Sequence, residues 1–166
     1  ESGTVTFKAT SGGGTLTFSE IETIAYTGAV DGTAGDDQMS PGYTDAQNDQ
    51  VDGLDGANDT ILGYGGNDSI SAGQGDDMVY GDTGNDTVVA GAGNDWVYGG
   101  TGNDTVVAGA GNDVVFLQDG DDSLGGWSQD DSGNDLLYGG NGDDTINGGD
   151  GADVVQGDAG NDQLIG

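Results

Sequence analysis

The sequence contains no cysteine and no histidine, a single proline, and one basic side chain against 31 acidic ones. The base is Lys8; arginine is absent altogether. Each absence closes a route. Without cysteine and histidine there is no disulfide, thiol nucleophile, Ser–His relay or ordinary zinc site. One cation cannot form the basic face that displaces counterions from nucleic acid, so no nucleic-acid partner is expected. No stretch approaches the ~20 apolar residues of a membrane span. Aromatic residues make up only 7% of the chain, and few aromatics with a net charge of −30 ordinarily read as disorder.

What is present points elsewhere. The 166 residues fit one domain. Of the 31 acids, 28 are aspartate; the glutamates are Glu1, Glu20 and Glu22. Glycine supplies 37 residues, about three times average usage. These residues are not scattered. Residues 79–96 (VYGDTGNDTVVAGAGNDW) and 97–114 (VYGGTGNDTVVAGAGNDV) are identical at 16 of 18 positions. Each block splits into two nine-residue units of the form small-G-x-G-N-D-x-aliphatic-x. Units run in phase from Gly63 to Gly125, a 13-residue unit covers 126–138, and three regular units follow. Upstream, Asp37 with Met39, Asp49 with Val51, and Asp59 with Ile61 mark earlier units separated by insertions.

The nonapeptide has a physical logic. Glycine permits the positive φ of a tight turn whose carbonyls converge. The aliphatic at position eight lies between two outward residues, which predicts a three-residue strand. Such a strand buries little alone, but stacked neighbours make a continuous apolar row. The 18-residue identity places two strands and two turns in each coil. The sixth-position aspartates then fall in rows one strand spacing apart, ~4.8 Å. Carboxylates that close require a cation between them. Hard oxygen ligands, carboxylates with turn carbonyls, suit calcium better than magnesium.

At these residues the chain resembles the hemolysin-type, repeats-in-toxin (RTX) calcium-binding family, whose signature is G-G-x-G-x-D-x-U-x with U a large aliphatic. The resemblance covers about residues 32–166 and is strict over 63–125 and 139–165. It implies an all-β fold, a right-handed parallel β-roll of calcium-stacked coils. It also implies secretion from a Gram-negative bacterium by the type I route, or display on its surface, with folding driven by extracellular calcium. Carried over residue by residue, the ligand aspartates are Asp59, Asp68, Asp77, Asp86, Asp95, Asp104, Asp113, Asp122, Asp135, Asp144, Asp153 and Asp162. They pair two units apart, from Asp59–Asp77 to Asp144–Asp162, giving ten candidate calcium sites. Asp130 or Asp131 could substitute within the insertion. Ala72, Ala90, Ala108 and Leu117 stand where a leading glycine is expected, which puts the turn before Asp122 in question.

The chain reads as three parts. Residues 1–31 form an N-terminal hairpin-like β segment, with Val5 and Phe7, then Leu16 and Phe18, alternating around a Gly-rich turn. Residues 32–62 are irregular early repeats. Residues 63–166 are the regular roll, interrupted at 126–134. One outward face is mostly polar. The other carries Met78 and Tyr80, Trp96 and Tyr98, Val114 and Phe116, and Leu136 and Tyr138. An apolar patch of that extent marks a contact: with the N-terminal segment, an adjoining domain, or a second copy in an oligomer or filament. The expected function is therefore a non-catalytic, calcium-binding scaffold. The alternatives are a surface adhesin or self-assembling module, ice binding through the Thr83–Asn85 and Thr101–Asn103 turns, and a polysaccharide-active enzyme. The chain starts without a signal peptide and reads as a piece of a longer protein.

Overall fold

Why two strands per coil close into a solenoid follows from the side-chain periodicity, and the computed structural model shows the result for residues 29–44, 51, 56–125 and 132–166. The hairpin expected over residues 4–26, Asp49, Asp130 and Asp131 lie outside the described residues. In chain order the strands are β1 (Val30–Asp31), β2 (Gln38–Met39), β3 (Thr60–Leu62), β4 (Ser69–Gln74), β5 (Met78–Thr83), β6 (Thr87–Ala92), β7 (Trp96–Thr101), β8 (Thr105–Ala110), β9 (Val114–Asp119), β10 (Ser123–Leu124), β11 (Ser132–Gly133), β12 (Leu136–Asn141), β13 (Thr145–Asn147), β14 (Asp150–Gly151), β15 (Val154–Ala159) and β16 (Gln163–Ile165). No helix occurs among the described residues. Strands alternate between two parallel sheets, one ordered β1-β3-β5-β7-β9-β12-β15 and the other β2-β4-β6-β8-β10-β13-β16. The chain is an all-β parallel solenoid of about six turns.

Register carries the sequence repeat into space. Val79 pairs with Val97 and Val97 with Val115, each one coil on. Across the insertion the pairing continues, Val115 with Leu137 and Leu124 with Ile146. Ile70, Val88 and Val106 form the opposing column. All of these side chains are buried. Each contributes roughly 1.5–3 kcal/mol of apolar burial, so the core is a thin seam repeated along an axis.

The regular strands are six residues long, not three. They begin at position seven of one unit and run through position three of the next. Period-two alternation then sends a second residue inward, the first of the following unit. This corrects the expectation for Ala72, Ala90, Ala108 and Leu117. They are not strained turn residues but core side chains, at most 1% exposed. The left-handed positions are the second and fourth, as at Gly100 (φ 122°) and Gly102 (φ 122°). At the fourth position space forbids any side chain: a Cβ on Gly84 would overlap the Gly66 carbonyl oxygen. The turn before Asp122 is regular, with Gly120 at φ 154° and its N–H donating to Asn141 O at 2.8 Å. On either side of the insertion the register holds: Leu124 pairs with Val106, and Ser132 with Ala110.

Candidate metal centre

Each of the twelve sixth-position aspartates expected as ligands but Asp59, which follows Ala57, comes after a turn glycine at position four; each precedes a strand, so the turn aims the carboxylate along the stack. Its backbone N–H donates to Oδ1 of the aspartate one coil on. Asp59 donates to Asp77, Asp68 to Asp86, Asp77 to Asp95, Asp86 to Asp104, Asp95 to Asp113 and Asp104 to Asp122, all at 2.8 Å. Asp113 donates to Asp135 and Asp122 to Asp144 at 2.9 Å. Asp135 donates to Asp153 at 3.0 Å and Asp144 to Asp162 at 3.1 Å. All twelve residues singled out in the sequence therefore stand in two columns, in the pairs expected. Nine of them, Asp68 to Asp144, are at most 3% exposed; Asp59, Asp153 and Asp162, at the ends, are half-buried.

The second carboxylate oxygen is placed differently. Oδ2 of Asp68, Asp77, Asp86, Asp95, Asp104, Asp122, Asp144 and Asp153 is buried with no hydrogen-bond partner. Where the first residue of the turn is glycine, as before Asp68, Asp86, Asp104 and Asp144, Oδ2 lies beside that residue and beside a carbonyl of the next turn. A Cβ built on Gly63 would lie 2.6 Å from Asp68 Oδ2 and 2.7 Å from Gly81 O. On Gly81 it would meet Asp86 Oδ2 and Gly99 O, both at 2.5 Å, and on Gly99 Asp104 Oδ2 and Leu117 O, both at 2.7 Å. At each such point the two nearest atoms are acceptors, a carboxylate oxygen and a carbonyl oxygen. An anionic oxygen buried among carbonyls is costly unless a positive charge meets it. Among the described residues no three carboxylates converge, so a cation here would draw on one or two aspartates and on main-chain oxygen. That hard-oxygen donor set fits calcium, which takes six to eight such ligands.

The electrostatics agree. With protein groups alone, burial pushes the carboxyls of Asp95 and Asp104 up to about 7 and that of Asp122 up to about 6. Burial raises Asp68, Asp77, Asp86 and Asp144 as well. The N–H from the preceding coil opposes the shift in every case, and the charge of nearby aspartates adds to it.

A family model for the RTX calcium-binding nonapeptide repeat matches residues 55–88, 80–115, 89–124, 98–132 and 129–164, about two-thirds of the chain. The chain belongs to the RTX calcium-binding repeat family. It is thus a calcium-binding RTX β-roll module. Repeats of this family are typically non-catalytic, and its proteins are generally secreted. No curated protein and no solved structure matches the chain.

The sequence marks Asp37 as part of an earlier unit, but it leaves open two features of the RTX columns, the partner of Asp37 and an outer ladder. Asp37 extends one column, its N–H donating to Asp68 Oδ1 at 2.8 Å across 31 residues. The residues between hide that spacing, yet 32–40 (GTAGDDQMS) already carries the nonapeptide pattern. The fifth position forms a second, outer ladder of opposite polarity. Asn85 N donates back to Asn67 Oδ1 at 2.8 Å, Asn103 N to Asn85 Oδ1 at 2.9 Å, and Asn94 N to Asp76 Oδ1 at 2.8 Å. An asparagine or aspartate directly before the sixth-position aspartate, in every unit but that of Ala152, was its signal.

Proposed function

We propose that this RTX module folds on binding about ten calcium ions and then serves as a non-catalytic scaffold of a secreted or surface-displayed bacterial protein. The ions would lie in the ten pairs from Asp59–Asp77 to Asp144–Asp162, with Asp Oδ2 and turn carbonyls as ligands. One observation carries the reading: a row of buried carboxylate oxygens with no hydrogen-bond donor, several of them beside a main-chain carbonyl oxygen. The chain's own part is positional. Oδ1 is held by an N–H, which leaves Oδ2 directed at the carbonyls of the next turn. Bound calcium supplies the positive charge that lets neighbouring carboxylates remain ionised. Extracellular modules bind calcium at ~10⁻⁴–10⁻³ M, so such a chain stays open in a calcium-poor cytosol and closes outside. Circular dichroism in calcium and in chelator tests this. A strand signal in calcium that collapses in chelator is expected; equal strand content in both would sink the proposal.

A second role, as a contact module, is favoured by the outward face of the β5–β7–β9–β12 sheet. Tyr80, Tyr98, Phe116 and Tyr138 stack ring on ring, with centroids 4.8, 5.3 and 5.0 Å apart. Beside them Met78 is 37% and Trp96 44% exposed. A second copy or an adjoining domain would cover this surface. For Trp96→Asp, sedimentation in calcium should show reduced association with the calcium count unchanged. A protein that no longer folds in excess calcium would identify Trp96 as core instead.

A further inference from the structure

Among the described residues, the first turn of the roll is built differently from the rest. Residues 32–40 occupy the nine positions of a unit, with Gly32 first and Asp37 sixth. The same acceptors converge as elsewhere: a Cβ on Gly32 would lie 2.7 Å from Gly63 O, 3.0 Å from Asp37 Oδ2 and 3.1 Å from Leu62 O. The donors differ. Asp37 Oδ2 accepts the Thr33 N–H at 2.6 Å and the Thr33 hydroxyl at 2.9 Å. Oδ2 of Asp68, Asp86 and Asp104, next along the same column, has no donor. The backbone differs with it. Position two, Thr33, and position four, Gly35, are not left-handed here, whereas their equivalents Gly100 and Gly102 are. A β-branched residue strongly resists that conformation. Thr33 Oγ1 also accepts the Gly35 N–H at 3.2 Å, which fixes the turn in its alternative form.

We propose that the Thr33–Asp37 turn is a metal-free cap. Its two donors replace the cation at the start of the Asp37–Asp68–Asp86–Asp104 column, so the first calcium on that column lies between the turns of Asp68 and Asp86. This rests on the calcium reading above. A roll needs an end that neither exposes a charged orphan nor depends on a further coil. Here a hydroxyl and an N–H satisfy Asp37 locally, and its own N–H still pairs with Asp68.

Counting bound calcium by native mass spectrometry at saturating calcium tests the assignment, with circular dichroism checking that each variant is folded. Asp37→Asn should bind as many ions as the unmodified chain, whereas Asp104→Asn should bind at least one fewer. Thr33→Gly removes the hydroxyl and permits the left-handed turn, so it should bind one more ion. The double change Thr33→Gly with Asp37→Asn should return to the original count. A count one lower in Asp37→Asn, or an unchanged count in folded Thr33→Gly, overturns the cap. If Thr33→Gly fails to fold, the Asp37→Asn count decides alone. No calcium on the unmodified chain would overturn the calcium reading itself.

Discussion

The second position of the unit shows most directly what a single residue costs this fold. It is left-handed in every regular turn, yet it holds Tyr64 (φ 69°), Asp82 (φ 73°), Gln118 (φ 83°) and Asp158 (φ 66°) on one side of the roll. On the other side the equivalents are Gly73, Gly91, Gly109 and Gly149. Aspartate tolerates this region through local hydrogen bonds, but glutamine gains nothing comparable. Gln118→Gly should therefore stabilise the calcium-loaded roll, by about 0.5–1 kcal/mol in urea denaturation. The converse change one coil away should destabilise it. A Cβ on Gly100 would overlap the Asp82 carbonyl oxygen, so Gly100→Ala should cost ~1 kcal/mol or more. If the two variants unfold at the same urea concentration, left-handed backbone is not what limits this turn.

At the scale of the element, the aspartate column behaves as one titrating unit. Burial raises the carboxyls of Asp95 and Asp104 to about 7 in the folded chain, against ~3.9 when unfolded. Between those values the folded state holds more protons than the unfolded state. In chelator, stability is thus fully present below pH ~4 and is lost as pH rises through about 7. In calcium the sign reverses, because the ions compete with protons for the same oxygens and bind better as pH rises. Urea midpoints in calcium and chelator should therefore diverge as pH rises from ~4, until near neutral pH the chain in chelator has no folded state left to unfold. Midpoints in chelator that do not change with pH would show that the columns are not buried as carboxyls. The column was legible in the sequence because aspartate recurs at a fixed offset and every pair obeys one register. The strand was only half legible. Its outward and inward residues at positions seven to nine follow a plain alternation, whereas the next three positions are small or glycine and read as turn. Only the stacked register assigns Ala72 and Leu117 to the core. The pairing of Asp37 with Asp68 was obscured for another reason: loops between coils change spacing without changing the contact, and a period search sees spacing alone.

A whole molecule of net charge −30 is compact only if something offsets its interior columns. The aliphatic seam is too thin to do so. Each coil touches only its neighbours, so every rung adds a little burial and one more carboxylate. About ten calcium ions would bring ~20 positive charges to the places where the aspartates stand closest. The outer ladder at position five adds hydrogen bonds between coils but no positive charge. Folding and ion binding are then one transition over most of the stack, and global size should report it. Small-angle scattering at pH 7.5 should give a short rod in calcium. In chelator the radius of gyration should move towards the ~43 Å of an unfolded chain of this length. Magnesium at equal concentration should not restore the rod, since it prefers six near-octahedral ligands and keeps its waters. A rod that persists in chelator would mean that the buried carboxylates hold protons at neutral pH. One restored equally by magnesium would mean that screening, rather than coordination by Asp Oδ2 and the turn carbonyls, closes the coils.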